Sequence, residues 1–176
     1  RKASGEIVLV TGAIPGERLL AEVQARRGVW QGRTLEVLRP APERVPTPAH
    51  PGLDYGFIGY EKQLELKREV VRDSLRRAGG ATFEDLDVPP VRPAPSEWGY
   101  RQVIQPATSS AGLGYRRPGS SEVLVLTEDP VATDAVNAAW RTAVDLSAHR
   151  AAGARELVIR ANDAGEALVA IVTSAP

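Results

Sequence analysis

The sequence of 176 residues contains no cysteine, no methionine and only two histidines, His50 and His149. The absence of cysteine excludes disulfides, thiolate nucleophiles and iron–sulfur or zinc sites built on sulfur ligands. Two histidines disfavour a metal site built on imidazole ligands. We therefore expect no metal in this chain.

Long apolar segments are also missing. No apolar run approaches the roughly 18 residues that a membrane-spanning helix needs, and no signal peptide is visible. We expect a soluble, cytoplasmic protein with no membrane partner. Because the chain opens Arg1-Lys2-Ala3 and holds no methionine, we also expect it to be part of a longer polypeptide.

Net charge is zero, since 22 basic residues balance 22 acidic ones. The whole molecule therefore has no long-range attraction for a polyanion. The distribution is uneven, however, because residues 1–44 hold eight Arg or Lys against five Asp or Glu. This bias favours nucleic-acid contact by the first part of the chain.

The first 45 residues have the pattern of a small β-barrel. Glu6 to Thr11 is a β-branched apolar run, and Pro15-Gly16 fits the centre of a type II turn that leads into Arg18 to Ala25. We predict a hairpin from these two runs and a further strand from Arg33 to Leu38. Three strands in so short a segment suit a barrel of the oligonucleotide-binding shape, incomplete at its amino end.

A connector and a helix follow. Residues 40–59 contain five prolines and three glycines, which favours an extended linker, and we place the domain boundary near Val45. From Tyr60 to Ala78 the apolar residues recur at helical spacing, and Gly79-Gly80 is a helix stop.

The rest of the chain predicts an antiparallel sheet and a second helix. Strands are expected at Tyr100 to Gln105, Gly112 to Arg117 and Glu122 to Thr127, and a final hairpin at Glu156 to Ala161 and Ala167 to Val172. Asp129-Pro130 is expected to cap the second helix, whose apolar stripe runs from Val136 to Val144. The predicted fold class is α+β: a barrel over residues 1–45, a connector over 46–59, and an α+β domain with two main helices over 60–176.

Three short signatures occur in a fixed order: Ala13-Ile14-Pro15-Gly16-Glu17, then Tyr60 to Lys67, then Gly112 to Ser120. Together they resemble the amino-terminal half of the RNA (uracil-5-)-methyltransferase family. Val8 to Arg18 is similar to the conserved stretch of the TRAM domain, an RNA-binding barrel, and the later segments resemble the family's central domain. The resemblance implies that this chain binds and positions RNA, with 23S rRNA favoured over tRNA.

The resemblance also implies what the chain lacks. Carbon-5 methylation of uracil needs a thiolate that adds at carbon 6, so the family's S-adenosylmethionine site and nucleophile are expected in a domain that is absent here. Many members hold an iron–sulfur cluster, but His50 to Leu53 and Asp129-Pro130 stand where its cysteines would lie, so no cluster can form. We expect no catalytic residue in this chain, and we expect a monomer.

The candidate RNA contacts combine arginines with residues that can stack on or hydrogen-bond a base. They are Arg18, Arg26, Arg27, Trp30, Arg101, Gln102, Tyr115, Arg116 and Arg117. For the candidates in the first 45 residues, the alternative explanation is an ordinary solvated surface with Trp30 half-buried. For the candidates from Arg101 onward, it is the solvent-exposed face of an antiparallel sheet.

Two other functions remain open from the sequence. The first is a freestanding RNA-binding module with no enzymatic role. The second, which is weaker, is a hydrolase that pairs one of the serines with His50 or His149, although no nucleophile elbow is visible.

Overall fold

A computed structural model describes residues 5–79, 86–150 and 153–173, with the helical backbone alone for residues 145–150. The chain divides into two compact units. The first is Arg1–Thr47 with Leu53–Pro93, and the second is Pro48–Gly52 with Ala94–Pro176. Among the described residues, no helix is both long and apolar enough to span a bilayer.

The described part of the chain contains nine strands and two helices. The elements in chain order are β1 (Val8–Thr11), β2 (Arg18–Arg26), β3 (Val29–Arg39), α1 (Tyr60–Gly79), β4 (Val103–Ile104), β5 (Ala107–Ser109), β6 (Gly112–Arg116), β7 (Val123–Val125), α2 (Asp134–Arg150), β8 (Ala154–Ala161) and β9 (Ala167–Thr173). The predicted α+β class is confirmed, because sheet predominates and two helices accompany it.

The first unit contains a three-stranded sheet in the order β1-β3-β2. The predicted hairpin between β1 and β2 is wrong, because β3 lies between them and pairs parallel with β1 and antiparallel with β2. The Pro15-Gly16 turn does form, with Gly16 at φ 92°, but it only redirects the chain. The tight hairpin is β2–β3, where Arg27 and Gly28 both have positive φ, as a type I′ turn requires.

The two faces of this sheet differ in polarity. Residues that lie directly opposite each other on neighbouring strands share a face. Val8, Trp30 and Ala25 are aligned across the strands, as are Val10, Gly32 and Val23, and they make an apolar face. Two other rows, Leu9–Gln31–Gln24 and Thr11–Arg33–Glu22, make the opposite face. We call these last six residues the polar face.

Helix α1 runs from Tyr60 to Gly79, as predicted, with Gly80 outside the described residues. We expected it to belong to the second domain, but it belongs to the first unit. The reason lies at its start, where Arg44 and Ile58 form a β-bridge and the Gly59 amide donates to the Glu43 carbonyl at 2.7 Å. These contacts attach the beginning of the helix to the segment that follows β3.

The second unit contains a sheet in the order β4-β8-β5-β6-β7, with β9 on the other side of β8. The predicted final hairpin is confirmed as β8–β9. Trp140, Val136, Leu113 and Ile159 are at most 1% exposed and form the centre of the core between α2 and the sheet. The predicted apolar stripe of α2 is therefore confirmed as its buried face.

The start of α2 differs from the prediction. The helix begins at Asp134, and Thr133 caps it by accepting a hydrogen bond from the Val136 amide at 3.4 Å. Asp129 lies in the preceding turn, where its carboxylate accepts from the Val131 amide at 2.9 Å. It cannot cap the helix because it is fully buried and hydrogen-bonded elsewhere.

Candidate nucleic-acid interface

The polar face of the first sheet lines an open cleft of about 410 Å³. All six of its side chains border this cleft, and Gly32 contributes only backbone to the cleft floor. Arg33 and Glu22 form an exposed ion pair at 3.4 Å, and the Thr11 hydroxyl donates to the Gly32 carbonyl at 3.3 Å. The cleft therefore combines neutral hydrogen-bonding groups with a self-compensating pair of charges.

The candidate contacts of the first unit occupy different places on this sheet. Arg18, Arg26 and Arg27 are exposed, and the last two stand at the β2–β3 turn. Trp30 is half-buried on the apolar face, and its indole nitrogen donates to the Glu6 carboxylate at 2.8 Å. The structure thus places Trp30 on the side of the sheet opposite the cleft.

Glu17, the last residue of the first signature, is a buried anchor. Its carboxylate accepts from Arg44 Nε at 2.6 Å and Nη2 at 2.7 Å, and from the amides of Ile14 and Ala41 at 2.8 and 3.1 Å. Hydrogen bonding from Arg44 outweighs burial and lowers the pKa of Glu17 to about 2. Arg44 also lies over the ring of Phe57 at 4.6 Å. The signature thus fixes the Pro15-Gly16 turn to the segment after β3.

In the second unit, two of the candidate arginines are exposed but paired. Arg116 forms an ion pair with Glu156, and Arg117 Nε lies 3.0 Å from Glu122 Oε1. Their side chains remain 43% and 49% exposed. The Arg117–Glu122 pair is exposed on both sides and is worth at most about 1 kcal/mol, so a phosphate could replace Glu122 at small cost.

Arg101 and Gln102 lie in the segment that leads into β4. Arg101 is half-buried, and its backbone pairs with the turn before α2 through the Val131 carbonyl at 2.7 Å and the Thr133 amide at 2.9 Å. The Gln102 amide donates to Asp163. Gln102 also borders a second cleft, of about 790 Å³, together with Trp98 and Arg141.

Tyr115 is placed differently from the expected base-stacking surface. Its hydroxyl donates to Asp129 Oδ2 at 2.6 Å, and its ring lies 4.7 Å from His50 and 6.1 Å from Trp140, measured between centroids. Burial, together with this hydrogen bond, raises the pKa of the phenol. The residue is therefore part of the packing of the second unit.

His50, Asp129 and Tyr115 form one buried cluster. Burial alone would raise the pKa of Asp129, but the polar groups that face it, His50 and Tyr115 foremost, hold that pKa below its ordinary value. His50 Nε2 lies 3.5 Å from Asp129 Oδ2, which is longer than a good hydrogen bond. The Gly52 amide donates to His50 Nδ1 at 3.0 Å, and Nε2, which faces the carboxylate, has no hydrogen-bond partner among the described residues.

This cluster is the feature that sequence reasoning missed. The resemblance assigns both His50 and Asp129 to places where the family holds cysteines of one iron–sulfur cluster. This was the available signal that the two residues lie close together. The structure also removes the hydrolase hypothesis for His50, because its side chain is only 1% exposed and cannot reach a substrate. The side chain of His149 lies outside the described residues. No group of three or more histidine or carboxylate side chains within the described ranges could hold a metal ion.

Comparison with known proteins identifies the relatives of this chain, although no protein-family model matches it. It is 35% identical over 135 residues to the 23S rRNA (uracil(1939)-C(5))-methyltransferase RlmD of Nitrosococcus oceani, covering 70% of this chain and 30% of that protein. It is 34% identical over 136 residues to RlmD of Alkalilimnicola ehrlichii, with the same coverage. It is 30% identical to an uncharacterized RNA methyltransferase of Chlorobaculum tepidum, over 99% of this chain and 44% of that protein.

The class that these relatives define is the RNA methyltransferases. Within that class, the chain belongs to the RNA (uracil-5-)-methyltransferase family, as the three signatures predicted. The chain spans about 30 to 44% of the length of the relatives that it matches.

Proposed function

We propose that this chain is the RNA-binding part of an S-adenosylmethionine-dependent RNA (uracil-5-)-methyltransferase that acts on 23S rRNA. The observation that carries the proposal is its similarity to two such enzymes over about 70% of its own length. Its task is to hold the RNA so that a target uridine reaches a catalytic site elsewhere. Base-modifying enzymes commonly work on a nucleotide that is extruded from its surroundings.

The chemistry of the methylation assigns RNA binding, and not catalysis, to this chain. Methylation at carbon 5 of uracil proceeds through attack by a thiolate at carbon 6, and this chain contains no cysteine. On this proposal the nucleophile lies outside these 176 residues, and we place the S-adenosylmethionine site with it. Several of the residues present are suited to binding, since Arg18, Arg26 and Arg27 are exposed and Arg117 is held in an exposed ion pair.

The β2–β3 turn is the phosphate contact that we propose for the first unit. Arg26 and Arg27 project from it, and neither forms an ion pair with any residue that the structure describes. Each phosphate contact that a basic side chain makes with single-stranded RNA increases the magnitude of the salt slope of binding by about 0.7. Zero net charge means that such local contacts, rather than overall attraction, must supply the affinity.

Salt-dependent binding tests this proposal. The affinity of the chain for a 23S rRNA hairpin, measured by fluorescence anisotropy over a range of salt concentrations, is expected to weaken in Arg26→Gln/Arg27→Gln, with a slope smaller by about 1.4. Arg77→Gln on α1 is the matched control, because Arg77 is also exposed and, among the residues that the structure describes, pairs with Asp73 at 3.5 Å. An unchanged slope in the double variant would remove the turn from the interface, and failure of the wild type to bind would refute the proposed function.

The enzymatic part of the proposal needs a longer polypeptide that contains this chain. With labelled S-adenosylmethionine and unmodified 23S rRNA, it is expected to transfer methyl groups to uridine, and the present chain alone is not. A longer polypeptide that binds the RNA without transferring a methyl group would indicate the alternative, a non-catalytic RNA-binding module.

A further inference from the structure

The polar face of the first sheet holds two opposed amide side chains. Gln24 and Gln31 are direct partners in the antiparallel β2–β3 pair, and opposite residues on one face have Cβ atoms about 5 Å apart. Both side chains are exposed, and both line the 410 Å³ cleft. A single planar group entering the cleft can therefore contact both.

Neither amide is used inside the protein, as far as the described residues extend. The other polar residues of this face are hydrogen-bonded or ion-paired, with Thr11 bound to the Gly32 carbonyl and Arg33 to Glu22. Gln24 and Gln31 have no such partner among the described residues. Each amide offers two N–H donors and a carbonyl acceptor side by side.

The surroundings of the two amides suit a flat, partly apolar ligand. Leu9 lies next to Gln31 in the same row of the sheet and is 58% exposed. The floor of the cleft includes the backbone of Gly32, whose side-chain position lies on the apolar face. The volume falls within the range of small-ligand sites, about 300 to 1,000 Å³. The nearby charges of Arg33 and Glu22 cancel, so the cleft has no strong preference for an anion.

We infer that this cleft binds one unpaired nucleobase of the RNA, with Gln24 and Gln31 hydrogen-bonding its edge and Leu9 contacting its ring. Side-chain amides pair bidentately with a donor and an acceptor that lie side by side, and adenine is their most frequent partner. The base must be unpaired, because only a splayed-out base exposes its edge and ring to a sheet. The inference rests on the proposed RNA-binding function and adds a base-selective contact to it.

A base contact and a phosphate contact respond differently to salt. Phosphate contacts release counterions and determine the salt slope, whereas hydrogen bonds to a base edge determine sequence preference. Loss of the cleft contact should therefore change base preference and leave the salt slope unchanged. Loss of Arg26 and Arg27 should instead reduce the salt slope and leave base preference unchanged.

The test uses single-stranded RNA oligonucleotides that differ at one central position, carrying adenine, guanine, uracil, cytosine or no base. The wild-type chain is expected to bind the adenine form about tenfold more tightly than the abasic form. Gln24→Leu/Gln31→Leu should reduce this preference to less than about twofold, with the same salt slope. Gln24→Ala/Gln31→Ala repeats the test in case leucine disturbs the sheet, and circular dichroism checks the fold of each variant.

Gln105→Leu is the matched control, because it removes an exposed amide from the second unit, where Gln105 donates to Glu156 at 2.6 Å. It should leave base preference unchanged. A preference that persists in both double variants would overturn the inference. A wild type that binds all five oligonucleotides equally would also overturn it and leave the proposed RNA binding standing, whereas no binding to any of them would refute both.

Discussion

The buried carboxylate of Glu17 should make the first unit sensitive to acid, and replacing it with glutamine tests this directly. Glu17→Gln keeps the shape of the side chain but removes the charge that faces Arg44. The wild-type side chain of Glu17 is 0% exposed and that of Arg44 is 22% exposed, so solvent screens the pair only weakly. The variant leaves the guanidinium of Arg44 without its counter-charge.

The size of the expected loss of unfolding free energy follows from the pKa of Glu17. Hydrogen bonding from Arg44, with smaller contributions from the amides of Ile14 and Ala41, lowers the pKa of Glu17 from 4.5 to about 2. A change of one unit in pKa corresponds to about 1.4 kcal/mol. Ionised Glu17 therefore stabilises the folded state by about 3 kcal/mol at neutral pH. This agrees with the cost of about 3 to 5 kcal/mol found when one partner of a buried ion pair is removed.

The pKa values of Glu17 in the folded and unfolded states also determine how its contribution to stability changes with pH. Because the pKa of Glu17 is lower in the folded state than in the unfolded state, this stabilisation is complete above about pH 4.5 and is lost as the pH falls toward 2. The wild type should lose about 3 kcal/mol of unfolding free energy over this range through Glu17 alone. Glu17→Gln should be about 3 kcal/mol less stable at neutral pH and should lack this part of the acid response.

The assay must report on the first unit, because a chain of two units need not unfold in one step. Urea unfolding followed by ¹⁹F NMR of fluorotryptophan-labelled protein separates Trp30 of the first unit from Trp98 and Trp140 of the second. Glu122→Gln is the control, since its pair with Arg117 is exposed on both sides and should be worth less than about 1 kcal/mol. The reasoning is refuted if Glu17→Gln loses less than about 1 kcal/mol at neutral pH, or if it keeps the acid dependence of the wild type.

Two further predictions concern the second unit and use the Trp140 signal. Tyr115→Phe removes a donor from the buried Asp129 carboxylate and should lower the unfolding free energy by about 1.5 to 3 kcal/mol; a loss below about 0.5 kcal/mol would mean that this hydrogen bond is dispensable. Gly114→Ala should disrupt the β6–β7 pairing, because its Cβ would overlap the Leu124 carbonyl oxygen. Gly119→Ala is the comparison: no atom lies near its Cβ, so it should cost only about 1 to 3 kcal/mol for its φ of +69°. Equal stability of the two alanine variants would contradict the steric argument.

The elements that sequence predicted well are those whose signal is local. Helix α1 has a clear apolar period, and the hairpin β8–β9 consists of two short runs joined by turn residues, so a short window of sequence defines each of them. The apolar stripe of α2 is of the same kind. Its start was mispredicted because Asp129-Pro130 has the local pattern of a cap, while burial and a contact with the distant Tyr115 determine what Asp129 does.

The parts that sequence could not predict depend on distant pairing. A strand, a turn and another strand suggested a β1–β2 hairpin, but no local signal shows that β3 inserts between them and runs parallel to β1. The polar face arises only from this arrangement, because Gln24 and Gln31 become partners through the register of β2 with β3. The same holds for His50 and Asp129, which are separated by nearly half of the chain.

The loop Pro48–Gly52 has a practical consequence for dissecting the protein. It belongs to the second unit, while the residues on both sides of it belong to the first. A single cut at residue 94 would therefore yield a carboxyl-terminal fragment without His50, in which one side of the Tyr115 ring and the Asp129 carboxylate would lose their neighbour. Recombinant versions of the second unit should carry residues 48–52 grafted ahead of residue 94, and a simple truncation is expected to aggregate or to unfold at a lower temperature.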